Sequence, residues 1–255
     1  MYCYVYDSFL QQPRYASHLS RIEVRLAELG LQGKTERLTI LKNIKEIVES
    51  ALKRGVDTVV AVGNDQTVSK IVNLIAGSKA TLGLIPLGEP NSIAALLGVP
   101  SGEAACDTLS KRIVKRLDLG RVNSQYFLRS IEVSGGSAVL ESDQGYQIST
   151  SDPGSRISIA NFGPRSVLEP QTSLADPADG RLEAVIASGA ASGFSRLFRS
   201  HQSRSSVFPV KRVRVTCSTD SLPLVIDGET VVKTPATIEV APGRLKVIVG
   251  RDRKF

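Results

Sequence analysis

Histidine is nearly absent. Only His18 and His201 occur in 255 residues, which leaves no material for a histidine-based triad or a histidine-rich metal site. The three cysteines, Cys3, Cys106 and Cys217, stand far apart with no metal-type spacing, and read as reduced, partly buried thiols. Aromatic residues make up 5% of the chain, too few for a base-stacking surface, and no nucleic-acid recognition motif is present. No apolar run approaches the ~20 residues that span a bilayer. Residues 1–7, Met-Tyr-Cys-Tyr-Val-Tyr-Asp, lack the basic and long apolar segments of a signal peptide and read as a first strand. These gaps lead to the expectation of a cytoplasmic protein, at most peripheral at a membrane, with no nucleic-acid partner.

What is present is ordinary for a globular chain. Apolar residues make up 42% and charged residues 22%, and the length suffices for one large domain or two modest ones. The net charge of +7 suits an anionic partner such as a nucleotide or a membrane surface.

Periodicity divides the chain. Up to about residue 120, strand-like runs (2–6, 37–40, 58–62, 81–85) alternate with helical patterns (17–29, 42–53, 68–76, 91–97, 102–115). That alternation predicts a parallel sheet with helices on both faces, its ligands beyond the C-terminal strand ends. From residue 121 short runs are separated by Gly-Gly, Asp-Pro-Gly, Phe-Gly-Pro and Pro-Gly turns, which predicts an antiparallel β-rich domain over 121–243. One helical insert is expected at 189–199, and 168–179 reads as an ordered loop. Residues 244–255 carry a last strand.

Two strand ends stand out. Val59-Val-Ala-Val-Gly63-Asn-Asp65-Gln-Thr67 runs an apolar strand into a short turn and a helix; Leu82-Gly-Leu-Ile-Pro86-Leu-Gly88-Glu-Pro-Asn91 repeats the arrangement. A strand, a glycine-bearing turn and a helix N-terminus make a phosphate-binding device, because free N–H groups and the positive end of the helix dipole point into the turn. The same residues have plainer uses. Gly63 and Gly88 can end strands, Asp65 can cap a helix, and Asp227-Gly228 can make a hairpin turn.

In order and spacing the two edges resemble the diacylglycerol kinase catalytic domain family of lipid kinases, which includes sphingosine kinases and bacterial lipid kinases. Gly63, Asp65 and Thr67 match its Gly-Gly-Asp-Gly-Thr; Pro86, Leu87, Gly88, Asn91 and Ala94 match its Pro-Leu-Gly-Thr-Gly-Asn-Asp segment. Later landmarks follow in order: Leu117-Asp-Leu-Gly120, Asp179-Gly-Arg-Leu-Glu183 and Asp227-Gly-Glu229. The resemblance implies an α/β N-terminal domain of the NAD-kinase and diacylglycerol-kinase type, with a β-rich second domain and a C-terminal strand returning to the first. It implies transfer of the γ-phosphoryl group of ATP, with Mg²⁺, to a lipid hydroxyl. Asp65 would then be catalytic, with Asp227 and Glu229 beside it, and Gly63, Asn64, Thr67, Gly88 and Asn91 would contact nucleotide. The residues that would hold metal are unknown. An NAD-kinase-like enzyme shares the first motif, but the second edge and Asp227-Gly-Glu229 favour a lipid kinase.

Departures from the pattern fall on chemistry. Gln66 replaces a glycine, at a cost of roughly 1–2 kcal/mol if the turn needs positive φ there. Glu89 puts an anion where the pattern has a hydroxyl, worth about 4 kcal/mol of repulsion against a phosphate 4 Å away at an effective dielectric near 20. Pro90 removes an N–H donor and Ser92 removes a carboxylate. The stretch 131–136 replaces a glycine-rich segment that helps form the family's lipid pocket. The expectation is therefore an altered, weak or inactive kinase, and the alternative is a non-catalytic lipid- or nucleotide-binding module. Partners are expected to be a lipid substrate or an anionic membrane surface, and the chain is allowed to form a homo-oligomer. Phe194, Leu197 and Phe198, with arginines around them, suggest either a packed helix or an interfacial patch over 191–204.

Overall fold

The computed structural model describes residues 1–40, 42–133, 138–149, 156–164, 174–187, 205–217 and 221–255. The chain divides into two compact units, Met1–Leu117 with Gly243–Phe255, and Asp118–Pro242.

In the first unit the elements run β1 (Tyr2–Tyr6), α1 (Ala16–Glu28), β2 (Gly33–Arg37), α2 (Ile44–Lys53), β3 (Thr58–Gly63), α3 (Asp65–Ile75), β4 (Thr81–Pro86), α4 (Ser92–Leu96) and α5 (Ala104–Lys111). Short 3₁₀ turns, Ser8–Gln11 and Pro13–Tyr15, lie between β1 and α1. The strands pair in parallel in the order β2-β1-β3-β4. Every residue of β3 and β4 is buried, which is why both read as unbroken apolar runs: a parallel strand covered on both faces has no polar side. Ile22 of α1, Val48 of α2, and Ile71, Val72 and Ile75 of α3 are buried with them. Each fully buried aliphatic side chain contributes about 1.5–3 kcal/mol. In this strand order the chain reverses direction of travel between β1 and β3, and open α/β sheets place ligands outside the strand ends at such a point.

The second unit is antiparallel. Its elements are β5 (Val114–Val122), which enters from the first unit, β6 (Gln125–Phe127), β7 (Ser130–Val133), β8 (Ala138–Ser142), β9 (Gln147–Ser149), β10 (Arg156–Ala160), the short pair β11 (Gly163–Pro164) and β12 (Leu174–Ala175), β13 (Leu182–Ala187), β14 (Ser205–Val210), β15 (Arg212–Cys217), β16 (Pro223–Ile226), β17 (Thr230–Lys233) and β18 (Ala236–Ile248). One sheet runs β14-β13-β10-β7-β16-β17, and β9-β8-β15 continues into the first part of β18. Phe127, Ile131, Leu140, Ile159, Val215, Leu224 and Ile238 lie in their shared core. Beyond Pro242, β18 pairs in parallel with β4, Lys246 opposite Thr81.

The expected fold class holds, and several boundaries move. The strand read at 37–40 is β2 at Gly33–Arg37 instead, and Ile40 is fully exposed. Polar Gly-Lys-Thr-Glu-Arg carries no apolar signal, because its place is fixed by parallel pairing with β1 and only Glu36 is buried. The helix read at 102–115 stops at Lys111, where Arg112 takes a left-handed conformation (φ 47°), and 114–116 belong to β5. Strands β6 and β7 are separate, with Leu128 and Arg129 between them. The Pro-Gly at 242–243 is no turn but sits inside β18. Strands β14 and β17 carry little sequence signal: Pro209 interrupts the first, and the second is mostly exposed. The helical insert at 189–199 and the 191–204 patch fall outside the described residues, as do parts of 131–136 and 168–179.

Candidate functional site

Helix α3 starts three residues earlier than its apolar pattern, because Asn64 caps it. Asn64 is extended (φ −99°, ψ −172°), and its Oδ1 accepts from the backbone N–H groups of Gln66 (3.1 Å) and Thr67 (3.4 Å). The Asp65 N–H donates to the Pro90 carbonyl at 2.8 Å, and the Val68 N–H to the Asn64 carbonyl. A helix leaves its first N–H groups orphaned unless something accepts from them; here the protein's own atoms do so. Neither Asn64 nor Gln66 has positive φ. The strain expected at Gln66 therefore does not arise: Gln66 is an exposed residue in the first turn of a regular helix.

Gly63 has a packing reason. A Cβ there would stand 2.3 Å from Thr67 Oγ1, so the missing side chain is what lets Thr67 fold back over the strand end. The Thr67 hydroxyl donates to Asp7 Oδ2 at 2.7 Å. Asp7 follows β1, and its N–H donates to the Val62 carbonyl, which holds it against the end of β3.

The second turn is laced onto the first. The Leu87 N–H donates to the Gly63 carbonyl at 2.9 Å, and Asn64 Nδ2 donates to the Glu89 carbonyl at 3.1 Å. Gly88 has φ 77°, and a Cβ on it would lie 2.8 Å from the Phe9 ring, which meets the Tyr15 ring edge-on at 5.5 Å. The Asn91 side-chain amide donates to the Gly88 carbonyl. Glu89 is exposed.

Asp65 is 5% exposed, and its carboxylate is turned to α4. Oδ2 accepts from the Ser92 N–H (2.9 Å) and from the Ser92 hydroxyl, and Oδ1 accepts from the Ile93 N–H (3.0 Å). The plainer use expected of Asp65, helix capping, is thus present, on the helix after β4 rather than on its own.

Asp227 and Glu229 belong to the second unit, in the turn from β16 to β17. The hairpin reading fits: Asp227 (φ 49°) and Gly228 (φ 82°) are both left-handed, and the Glu229 N–H donates to the Ile226 carbonyl. The Asp227 carboxylate is buried and accepts from three consecutive N–H groups, those of Leu128 (3.0 Å), Arg129 (2.8 Å) and Ser130 (3.1 Å). Glu229 is exposed.

The first unit thus brings Gly63, Asn64, Asp65, Thr67, Gly88 and Asn91 together. The motifs did not include Asp7, Phe9 and Tyr15. The one available signal was an acid directly after a buried first strand, at the sheet edge where ligands gather. In this arrangement the donors of the α3 N-terminus, the Thr67 hydroxyl and both Asp65 oxygens are engaged by the protein. ATP or Mg²⁺ at these atoms would compete with the bonds they make here. Among the described residues, no three of His, Cys, Asp and Glu are grouped so as to hold a metal ion, and no helix is long and apolar enough to cross a membrane.

Comparison with known proteins bears out the resemblance. Residues 11–122 match the family model of the diacylglycerol kinase catalytic domain. A diacylglycerol kinase of Bacillus subtilis is 29% identical over 141 residues, covering 54% of this chain and 46% of the relative. A probable lipid kinase, YegS-like, of Pseudomonas aeruginosa is 36% identical over 97 residues, covering 37% of this chain and 32% of the relative. Each alignment spans less than half of the curated relative's length. Among solved structures, a diacylglycerol kinase from Bacillus anthracis superposes with a TM-score of 0.78 at 18% identity, covering 99% of this chain and 98% of that one. Yeast NADH kinase in complex with NADH gives 0.62 at 12% identity, covering 99% and 84%. At such identities the structural likeness establishes the two-domain fold.

Proposed function

We propose, from the diacylglycerol kinase catalytic domain matched over residues 11–122, that this chain keeps the scaffold of an ATP-dependent lipid kinase with an altered site. Its phosphorylation of lipid hydroxyls is weak or absent. One observation carries the reading: the turn that would cradle phosphate has its donors already used. Pro90 takes the Asp65 N–H, Asn64 takes those of Gln66 and Thr67, and Asp7 takes the Thr67 hydroxyl. Phosphate contact with the Thr67 hydroxyl or the first N–H groups of α3 would compete with these bonds, and catalysis by Asp65 would compete with its capping of α4. Exchange of buried hydrogen bonds costs about 1–3 kcal/mol for each group left unsatisfied.

Binding is the activity left to such a chain. The net charge of +7 supports an anionic lipid surface as its partner. The test is incorporation of the γ-phosphate of ATP into diacylglycerol presented in mixed micelles. No incorporation above a protein-free control is expected. Robust incorporation that disappears in Asp65→Asn would contradict the reading and restore Asp65 as a catalytic residue.

A further inference from the structure

Besides Asn64 and Pro90 of the two motifs, residues from the segment between β1 and α1 close the site. Asp7 lies on the first turn and Phe9 on the second. Asp7 is fixed from every side on which it is bonded: its N–H donates to Val62, Oδ1 accepts from the Ser8 hydroxyl (3.3 Å) and the Phe9 N–H (3.4 Å), and Oδ2 accepts from the Thr67 hydroxyl (2.7 Å). Two residues on, the Phe9 ring occupies the space above Gly88, backed by Tyr15.

We infer that Asp7 is the resident anion of this site, a carboxylate that takes the donor a phosphate group would use and so excludes phosphate-bearing ligands. The inference rests on the proposed function above and adds the residue that determines it. Carboxylate and phosphate oxygens compete for the same donors, since both accept short, charge-assisted hydrogen bonds. Asp7 sits at the end of β1, where the strand order reverses between β1 and β3, and its oxygen reaches the third residue of α3, at the positive end of that helix. An arriving phosphate would meet a fixed negative charge rather than a free hydroxyl. Phe9 follows from the same segment, so one strap covers both turns.

The experiment uses the whole chain with two variants, Asp7→Asn and Asp7→Ser, and two probes, inorganic phosphate and Mg²⁺–ATP, read by calorimetry. Asp7→Asn keeps the side-chain shape and an acceptor for the Phe9 N–H; Asp7→Ser shortens it and opens more room. A gain in affinity of roughly tenfold or more for at least one probe, in at least one variant, is expected from removing a unit charge that accepts from the Thr67 hydroxyl. Gain for phosphate alone would mean that the site takes a phosphate group without the nucleotide. If the wild type and both folded variants bind each probe equally, at whatever affinity, the inference about Asp7 fails. Micromolar Mg²⁺–ATP affinity already in the wild type would instead overturn the proposed function. Loss of the fold in both variants would also sink the inference, because Asp7 would then be a structural residue and not a removable occupant.

Discussion

Asp65 and Ser92 are joined twice: the Asp65 carboxylate accepts both the backbone N–H of Ser92, at 2.9 Å, and its hydroxyl. Ser92 stands where the family pattern has a carboxylate. Two acids facing each other there would need a cation between them or a proton shared between them. A serine needs neither, and turns the position into a donor for Asp65. The serine hydroxyl thus adds a third donor to a carboxylate that caps α4 through the N–H groups of Ser92 and Ile93.

Restoring the acid tests this. Ser92→Asp is expected to lower stability by about 1–3 kcal/mol, through lost hydrogen bonding and like-charge contact with Asp65. For a chain of this length that is a fall in Tm of roughly 2–10 °C. Added Mg²⁺ should recover part of the loss in the variant and do nothing to the wild type, as thermal melts with and without the ion would show. A variant as stable as the wild type would mean that the pair is not what holds α4.

The second unit has an equivalent device. Asp227 accepts three consecutive backbone N–H groups from the turn between β6 and β7. Asp227→Ala leaves those donors without an acceptor and is expected to cost about 2–4 kcal/mol. Hydrogen exchange should accelerate first at Leu128, Arg129 and Ser130. Unchanged exchange there would assign Asp227 away from folding and towards chemistry.

Acid sensitivity has a named source. Glu239 on β18 accepts from Arg212 (2.6 and 3.0 Å) and from Arg121, and these hydrogen bonds hold its carboxyl below the usual 4.5. A carboxyl whose folded pKa is depressed adds stability above its unfolded value, and that stability is lost as pH falls through the folded value. Denaturant unfolding of wild type and Glu239→Gln should therefore differ above the usual carboxylate range and converge as pH falls through the lowered folded value. The gap will be small, since both arginines are well exposed and the pairs are screened. A gap that widens in acid would reverse the assignment.

Much of the scaffold was legible because burial writes itself into sequence. Every residue of β3 and β4 is buried, so both strands read as apolar runs, and the glycine-bearing turns after them marked the site. Edge strands such as β2, with only Glu36 buried, carry no such signal. The bonds that decide the state of the site are long-range pairings: Asp7 with Thr67, 60 residues apart, and Asp65 with Ser92, 27 apart. No periodicity encodes such partners. The strain argument against Gln66 failed for a local reason, because the Asn64 cap moved the start of α3 forward and placed Gln66 inside a regular turn.

The most direct measurement is a calorimetric titration of the purified chain with ATP in the presence and absence of Mg²⁺. A turn already filled by Asn64, Pro90 and Asp7 predicts no saturable binding in the micromolar range with or without the ion. Metal-dependent binding at micromolar affinity would contradict the account, and would mean that these bonds open readily enough for the site to work as a kinase.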